Sequence, residues 1–177
     1  MNKEDTLLLI IDLQEKLQPT IYQGAKIISK AQQIIQAFQI FGIPMIITEQ
    51  YPKGLGHTIP EITSSLGETP TFEKLTFSGF IPEIQEYLEN KAIKNVVLIG
   101  TESHICVYQT CKDLLQADYH VEVVKDAISS RTQEHAEHGL ELMRDLGASV
   151  TNNETLIYEI LGAAGTDTFK KILKIIK

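Results

Sequence analysis

The sequence has few cysteines, no run of basic residues and no apolar stretch long enough to cross a membrane. Only two cysteines occur among 177 residues. That is too few for a disulfide framework, and free thiols are typical of a reducing compartment. The apolar run 7–11 ends at Asp12 and is too short for a signal-peptide core or a membrane span. These features predict a soluble, cytoplasmic protein with no membrane partner.

The charge balance is also one-sided, since the formal net charge is -7. An excess of acid argues against a nucleic-acid partner or an anionic membrane surface, because both reward lysine and arginine. The length is typical of one domain with a substantial core. We therefore predict a single domain over residues 1–177.

Apolar runs of strand length alternate with helical patterns along the whole chain. The runs are 7–11, 44–48, 96–99, 120–125 and, more weakly, 148–151. Continuous apolar runs indicate strands that are covered on both faces, and the stretches between them repeat their apolar residues at helical spacing. Repeated strand–helix–strand units predict an α/β fold with three layers, α/β/α, around a parallel sheet.

One segment does not fit this alternation. Residues 49–72 are rich in Gly, Pro, Ser and Thr, and the segment is too long for a plain connection in a small domain. We expect a functional loop or lid there.

Asp12 is the first candidate for a functional residue. Ligands of open parallel sheets bind beyond the carboxyl ends of the strands, and Asp12 directly follows the first apolar run. A carboxylate at the end of a buried strand needs a partner or a task. Two interpretations remain open from the residues alone: an N-cap for a helix that starts near Leu13, or a catalytic group.

Cys106 is the second candidate. In VVLIGTESHICVYQTC a strand ends at Gly100 and a helix is predicted from about Ile105, so Cys106 lies in its first turn. The positive end of the helix dipole favours a thiolate there and can lower a cysteine pKa below its usual ~8.5. The alternative is a small buried apolar residue. Cys111 fits that alternative, and the two thiols point about 140° apart on a helix, so they cannot pair.

The other polar residues give weaker signals. Lys74, at the end of the long loop, has the pattern of a solvated charge unless the fold places its ammonium beside Asp12 and Cys106. His135 and His138 are three apart on a predicted helix, which could ligate a metal but is more typical of a solvated face. The chain has neither a glycine-rich phosphate loop nor a G-x-S-x-G elbow, so we predict no cofactor.

Three segments carry these candidates in the order Asp12, Lys74, Cys106: LLLIIDLQ, FEKLTFSGF and LIGTESHICVYQTCKDLL. Together they resemble the isochorismatase-like cysteine hydrolases, which include nicotinamidases and N-carbamoylsarcosine amidases. The likeness continues over 120–154 and, with ITEQYPKGLGHTIPE, is greatest for isochorismatase domain-containing proteins and their bacterial relatives. It implies a Rossmann-like, six-stranded, mostly parallel sheet and a homo-dimer or larger homo-oligomer.

The resemblance also implies roles for the residues. Cys106 is the nucleophile, Asp12 the base that takes its proton, and Lys74 the cation that stabilises both anions. Attack on an amide carbonyl expels ammonia or an amine and leaves a thioester, which water hydrolyses. The backbone N–H groups of Glu102 and Cys106 form the oxyanion hole, and the family's cis peptide maps to the Thr101–Glu102 bond.

The sequence departs from the family in two places that bear on the substrate. Nicotinamidases bind a metal with an aspartate and two close histidines, whereas the equivalent loop here offers only His57. Glu102 and His104 replace the small and acidic residues common in amidase elbows. We therefore predict a metal-independent amidohydrolase that acts on a different small amide or carbamoyl compound.

Two alternatives belong to other functional classes. The chain is either an enzyme or a catalytically silent family member that serves as an interaction or assembly protein; a reactive Cys106 favours the first and an inert one the second. A flavodoxin-like nucleotide carrier would need a glycine-rich loop after Asp12. The sequence there is LQEKLQPT, which ranks this alternative last.

Overall fold

Six parallel strands form one sheet in the computed structural model, which describes residues 1–176. The last residue of the predicted domain, Lys177, lies outside the described residues. The strands are β1 (Thr6–Ile11), β2 (Met45–Gln50), β3 (Thr71–Lys74), β4 (Asn95–Thr101), β5 (His120–Ser129) and β6 (Ser149–Thr151). The helices are α1 (Gly24–Phe41), α2 (Pro52–Leu55), α3 (Pro60–Thr63), α4 (Pro82–Asn90), α5 (Tyr108–Gln116), α6 (Gln133–Asp145), α7 (Asn153–Leu161) and α8 (Asp167–Ile176).

The two faces of the sheet carry separate apolar cores. Successive strand side chains point to opposite faces, so Leu7 and Leu9 of β1 pack against α4, α5 and α6, whereas Leu8 and Ile10 pack against α1 and α7. Helix α8 adds a smaller outer cluster against α1 and α7 through Ile172. This is the predicted three-layer α/β/α arrangement, and it explains why β1 is apolar without interruption.

The strand order is β3-β2-β1-β4-β5-β6. The chain therefore runs outward through β2 and β3 and then returns to the middle to start β4. The order reverses between β1 and β4, and such a switch point opens a crevice at the carboxyl ends of the strands. The register places Ile11 opposite both Thr48 and Gly100, so the residues that follow β1 and β4 lie at this crevice.

Gly100 allows the two central strands to approach at the switch point. Its φ is 134°, a conformation that side chains rarely adopt. A Cβ on Gly100 would lie 2.0 Å from the carbonyl oxygen of Ile11, which is a clash with the backbone. Any other residue at position 100 would push β1 and β4 apart where the candidate residues emerge.

The predicted α/β class and parallel sheet are confirmed, and all six strands are parallel. The segment 49–72 is less irregular than predicted, because it contains α2, α3 and the first residues of β3. No separate sequence signal marks β3, since Thr71–Lys74 is a short edge strand of mixed polarity. Within residues 1–176, no helix combines the length and apolar content that crossing a membrane would require.

Candidate active site

The carboxylate of Asp12 is fully buried just beyond β1. Thr48 donates from Oγ1 to Asp12 Oδ1 over 2.7 Å, and Lys74 donates from Nζ to Asp12 Oδ2 over 2.8 Å. Asp12 adopts a left-handed φ of 51°, and no helix begins at Leu13. The helix-cap interpretation is therefore wrong: the carboxylate is held as one half of a buried ion pair.

Lys74, the last residue of β3, is the other half of that pair, and its side chain is 0% exposed. Nζ also lies within hydrogen-bond distance of Gln50 Oε1 at 2.8 Å and of the carbonyl oxygens of Phe77 and Thr76 at 3.1 and 3.4 Å. A buried ammonium requires partners of this kind, because losing its hydration is costly. The alternative of a solvated surface charge is wrong, and the fold places the ammonium against Asp12.

Cys106 lies in a π-helical turn, Ser103–Val107, that joins β4 to α5. Glu102 begins the turn in the left-handed conformation, with φ 59° and ψ 60°. Helix α6 packs directly on it: a Cβ on Gly139 would lie 2.7 Å from the turn's backbone. The nucleophile candidate therefore precedes a regular helix instead of lying in its first turn, and π-turns of this kind often occur at functional sites.

The Thr101–Glu102 peptide bond is not cis, and residues 1–176 contain no cis bond. The predicted cis peptide is therefore wrong for this structure. The chain makes its sharp bend in another way, through the left-handed Glu102 and the wide π-turn after it. The Glu102 carbonyl accepts the N–H groups of Ile105 and Val107 at 2.9 and 3.3 Å, and neither bond uses the Cys106 N–H.

The ionisation of Cys106 differs from the sequence prediction. Burial, followed by the negative charge of Asp12, raises the pKa of the Cys106 thiol to about 12, although the Lys74 ammonium opposes the shift. Burial also raises the pKa of Asp12, although the Lys74 ammonium opposes this shift as well. The thiol and the carboxylate lie close enough for each to affect the pKa of the other. The resting pair is thus a neutral thiol beside a carboxylate with increased proton affinity, and the helix end does not produce a free thiolate.

Alkylation distinguishes the two cysteines in spite of their similar pKa values. Burial raises the pKa of Cys111 to about 12 as well, but Cys111 is fully enclosed, whereas Cys106 lies beside a carboxylate base and lines a cavity. We expect iodoacetamide at neutral pH to label Cys106 well before Cys111, as measured by peptide mapping after brief exposure. Asp12→Asn should slow only the Cys106 reaction. Equal labelling of both thiols would contradict a site at Cys106.

A cavity of about 280 Å³ opens beside Cys106. This volume suits a small molecule. Four of its lining side chains are apolar: Leu17, Leu55, Phe77 and Ile105. Leu55 belongs to the segment 49–72, so that segment forms part of the cavity wall.

None of the histidines among the described residues belongs to a group of side chains that could hold a metal ion. Among residues 1–176, no three His, Cys, Asp or Glu side chains come together in a way that could hold a metal ion. His57 is largely exposed and pairs with Glu49 at 2.9 Å. His135 stacks on His104 with ring centroids 4.3 Å apart, so the predicted solvated face is only partly correct.

Several site residues have no sequence signal of their own. Thr48 lies within β2 and Gln50 is its last residue, and nothing in the sequence distinguishes their side chains from those of other strand residues. Arg131 lines the cavity just beyond β5, and Glu102 lines the same cavity. Nothing local distinguishes either from a surface charge, because their roles depend on neighbours far away in the chain.

The strand order and the buried residues at the crevice define an α/β protein with a candidate active site at the carboxyl ends of its strands. A family model described as the isochorismatase domain matches residues 6–155. The chain belongs to the isochorismatase-like hydrolase family.

Individual relatives are similar over nearly the whole chain. Isochorismatase domain-containing protein 2 of Xenopus laevis is 37% identical, covering 99% of this chain and 85% of that protein. A protein of Phytophthora sojae named secreted isochorismatase effector Isc1 is 36% identical, covering 97% and 84%. The solved structure of MAR1 ribonuclease from Caenorhabditis elegans has a TM-score of 0.95 at 40% identity, covering 99% and 91%.

Proposed function

We propose that this protein is a cysteine hydrolase that cleaves the C–N bond of a small amide or carbamoyl compound. One observation carries the proposal: the Cys106 thiol faces a buried Asp12 carboxylate that Lys74 and Thr48 fix in place, beside a cavity. A nucleophile, a base and a group that orients the base are the parts that covalent catalysis requires.

In the first half-reaction, the Cys106 sulfur attacks the amide carbonyl carbon while its proton passes to Asp12. A thiol with a pKa of about 12 is a weak nucleophile alone, so the proton must leave during attack, and the raised pKa of Asp12 suits it to receive that proton. The tetrahedral intermediate then collapses. The C–N bond breaks, the amine takes the proton from Asp12, and a thioester remains on Cys106.

In the second half-reaction, water attacks the thioester carbon and gives a proton to Asp12. The C–S bond breaks, the carboxylic or carbamic acid leaves, and Asp12 returns the proton to the sulfur. Lys74 neutralises Asp12 whenever the carboxylate is charged. We propose the N–H groups of Glu102 and Cys106 as the donors to the oxyanion in both steps; losing one such donor typically costs on the order of a hundredfold in rate.

The reaction should need no metal ion. The carboxylate beside Cys106 already has a fixed cation, since the Lys74 ammonium lies 2.8 Å from it. We expect EDTA to leave turnover unchanged, as measured by ammonia release before and after chelation and dialysis. Loss of activity that zinc restores would contradict this and direct attention to Asp12 and His57.

RNA hydrolysis is a second candidate because a 40% identical structure is that of a protein named a ribonuclease. RNA binding depends on cations that meet phosphates. Here the net charge is -7, Lys74 is buried against Asp12, and Arg131 is the exposed cation of the cavity. These charges favour a small uncharged substrate over a phosphate backbone.

A substrate screen tests the proposed function. Primary amides, ureas and carbamoyl compounds are assayed for ammonia release, with a single-stranded RNA of mixed sequence in a parallel arm. Ammonia release that depends on Cys106 supports the amidohydrolase. RNA cleavage without ammonia release would replace it with a nuclease, and no turnover in either arm would favour the silent interaction protein.

We also propose a cytoplasmic location and a homo-oligomeric assembly. Both cysteines are free, which suits the reducing cytoplasm. The side chains of Tyr51, Leu75 and Phe77 are apolar and exposed, which suits burial in a homo-dimer or larger homo-oligomer. Light scattering that gives the 19.8 kDa mass of one chain would contradict the assembly.

A further inference from the structure

We propose that the side chain of Glu102 selects the substrate, by accepting a hydrogen bond from an N–H group of a compact amide or ureido compound and disfavouring compounds that carry a carboxylate there. The inference rests on the hydrolase function proposed above and specifies its substrate class. It concerns the Glu102 carboxylate, which is separate from the backbone N–H of the same residue.

Glu102 is a buried carboxylate with an unused acceptor. The residue is 7% exposed and lines the cavity beside Cys106. Its Oε1 atom is buried without a hydrogen-bond partner among the described residues. Arg131 Nε lies 3.4 Å away but is not aligned to donate, and His104 Nδ1 lies 4.0 Å from Oε2.

A buried carboxylate oxygen that accepts no hydrogen bond is costly to the folded protein, even with a partly exposed cation beside it. The cost falls when a ligand in the cavity donates a hydrogen bond to the Glu102 carboxylate, and hydrogen bonds to charged groups are the stronger ones. Since Glu102 begins the turn that carries Cys106, the donor is an N–H group close to the carbonyl that Cys106 attacks. Primary amides and ureido groups have their N–H groups in that position.

The other walls set the size and charge of the ligand. The apolar side chains of Leu17, Leu55 and Phe77 line a cavity of about 280 Å³, which suits a small molecule with an apolar part. Arg131 balances the Glu102 charge, but its side chain is 54% exposed whereas that of Glu102 is 10% exposed. Water therefore screens the cation more than the carboxylate, and a ligand carboxylate near Glu102 is repelled.

Two alkylating reagents of nearly equal size test this without any turnover. Iodoacetamide carries a primary amide, and iodoacetate carries a carboxylate. The readout is the ratio of their rate constants at Cys106 at pH 8, by peptide mapping, divided by the same ratio for free N-acetylcysteine. We expect this normalised ratio to be at least about 10, which is the effect expected of one hydrogen bond to a charged group.

Two cavity variants and one matched control complete the test. Glu102→Gln keeps the shape but removes the charge, so the ratio should fall toward one. Arg131→Gln removes the cation that attracts iodoacetate, so the ratio should rise. Glu122→Gln makes the same change at another buried glutamate, which pairs with His120 at 3.9 Å and does not line the cavity, and should leave the ratio unchanged.

The outcomes separate this inference from the proposed function. An unchanged ratio in Glu102→Gln overturns the role of Glu102. A Cys106 that iodoacetamide fails to label overturns it as well, because the cavity would then exclude a compact primary amide of the class it is said to select. If the ratio behaves as expected but no amide releases ammonia, the selectivity of the cavity stands and the hydrolase function fails.

Discussion

Cys106→Ala should reduce amide hydrolysis by on the order of 10⁴-fold or more, because removal of a covalent nucleophile leaves only binding and oxyanion stabilisation. The carbonyl carbon would have no sulfur to attack it, and Asp12 would have no proton to accept. The measurement is the initial rate of ammonia release from the best substrate of the screen. The variant must be free of wild-type enzyme, since traces of it would account for a small residual rate.

Cys111→Ala is the matched control. It removes the same thiol five residues further on, in α5, where the sulfur is fully enclosed and burial alone raises its pKa. Its effect should be on stability, with kcat close to that of the wild type. If Cys106→Ala and Cys111→Ala lose activity equally, the cysteine mechanism is wrong, and any hydrolysis must use another nucleophile.

Lys74→Met should be the most destabilising single change at the site. It retains the size of the side chain but leaves Asp12 as a buried charge without its cation, and it removes the donor to Gln50. Breaking a buried ion pair in this way costs about 3–5 kcal/mol. For a domain of this length the melting temperature should fall by about 6–20 °C, as measured by thermal denaturation.

The loss should depend on pH in a definite direction. Burial already holds the pKa of Asp12 above its ordinary value while Lys74 opposes the shift, so removing Lys74 raises it further. A carboxyl whose pKa is raised in the fold supports the fold while protonated and loses that support as pH rises through the folded pKa. The destabilisation by Lys74→Met should therefore be smaller at pH 5 than at pH 8.

Two further variants show whether the buried pair is the cause. Lys170→Met breaks an exposed pair with Asp167, where the side chains are 69% and 90% exposed, and should change stability by less than about 1 kcal/mol. Asp12→Asn combined with Lys74→Met removes both charges and should recover much of the loss. Equal losses of stability in Lys74→Met and Lys170→Met would show that the buried ion pair stabilises the fold no more than the exposed pair does.

The residues that the sequence identifies best are those that emerge from strongly apolar strands. Asp12 and Cys106 both follow such strands, and the rule that parallel strands present ligands at their carboxyl ends selects both from the sequence alone. The family resemblance adds Lys74 and the order of the three residues. Strand β3 is the strand that the sequence predicts least well, because an edge strand with two exposed residues has no continuous apolar run.

The sequence alone determined the alternation of strands and helices, because each element needs only its own apolar residues to show its period. It also indicated that Asp12 needs a partner. The identity of that partner was decided by the tertiary structure: Lys74 is 62 residues away in the chain, and only the strand order brings the two together. The tertiary structure also decided the pKa of Cys106. Burial and the charge of Asp12 raise it, and they outweigh the lowering that the local sequence predicts from a helix N-terminus. Interactions of this kind depend on distances between separate segments, and those distances are set when the sheet assembles.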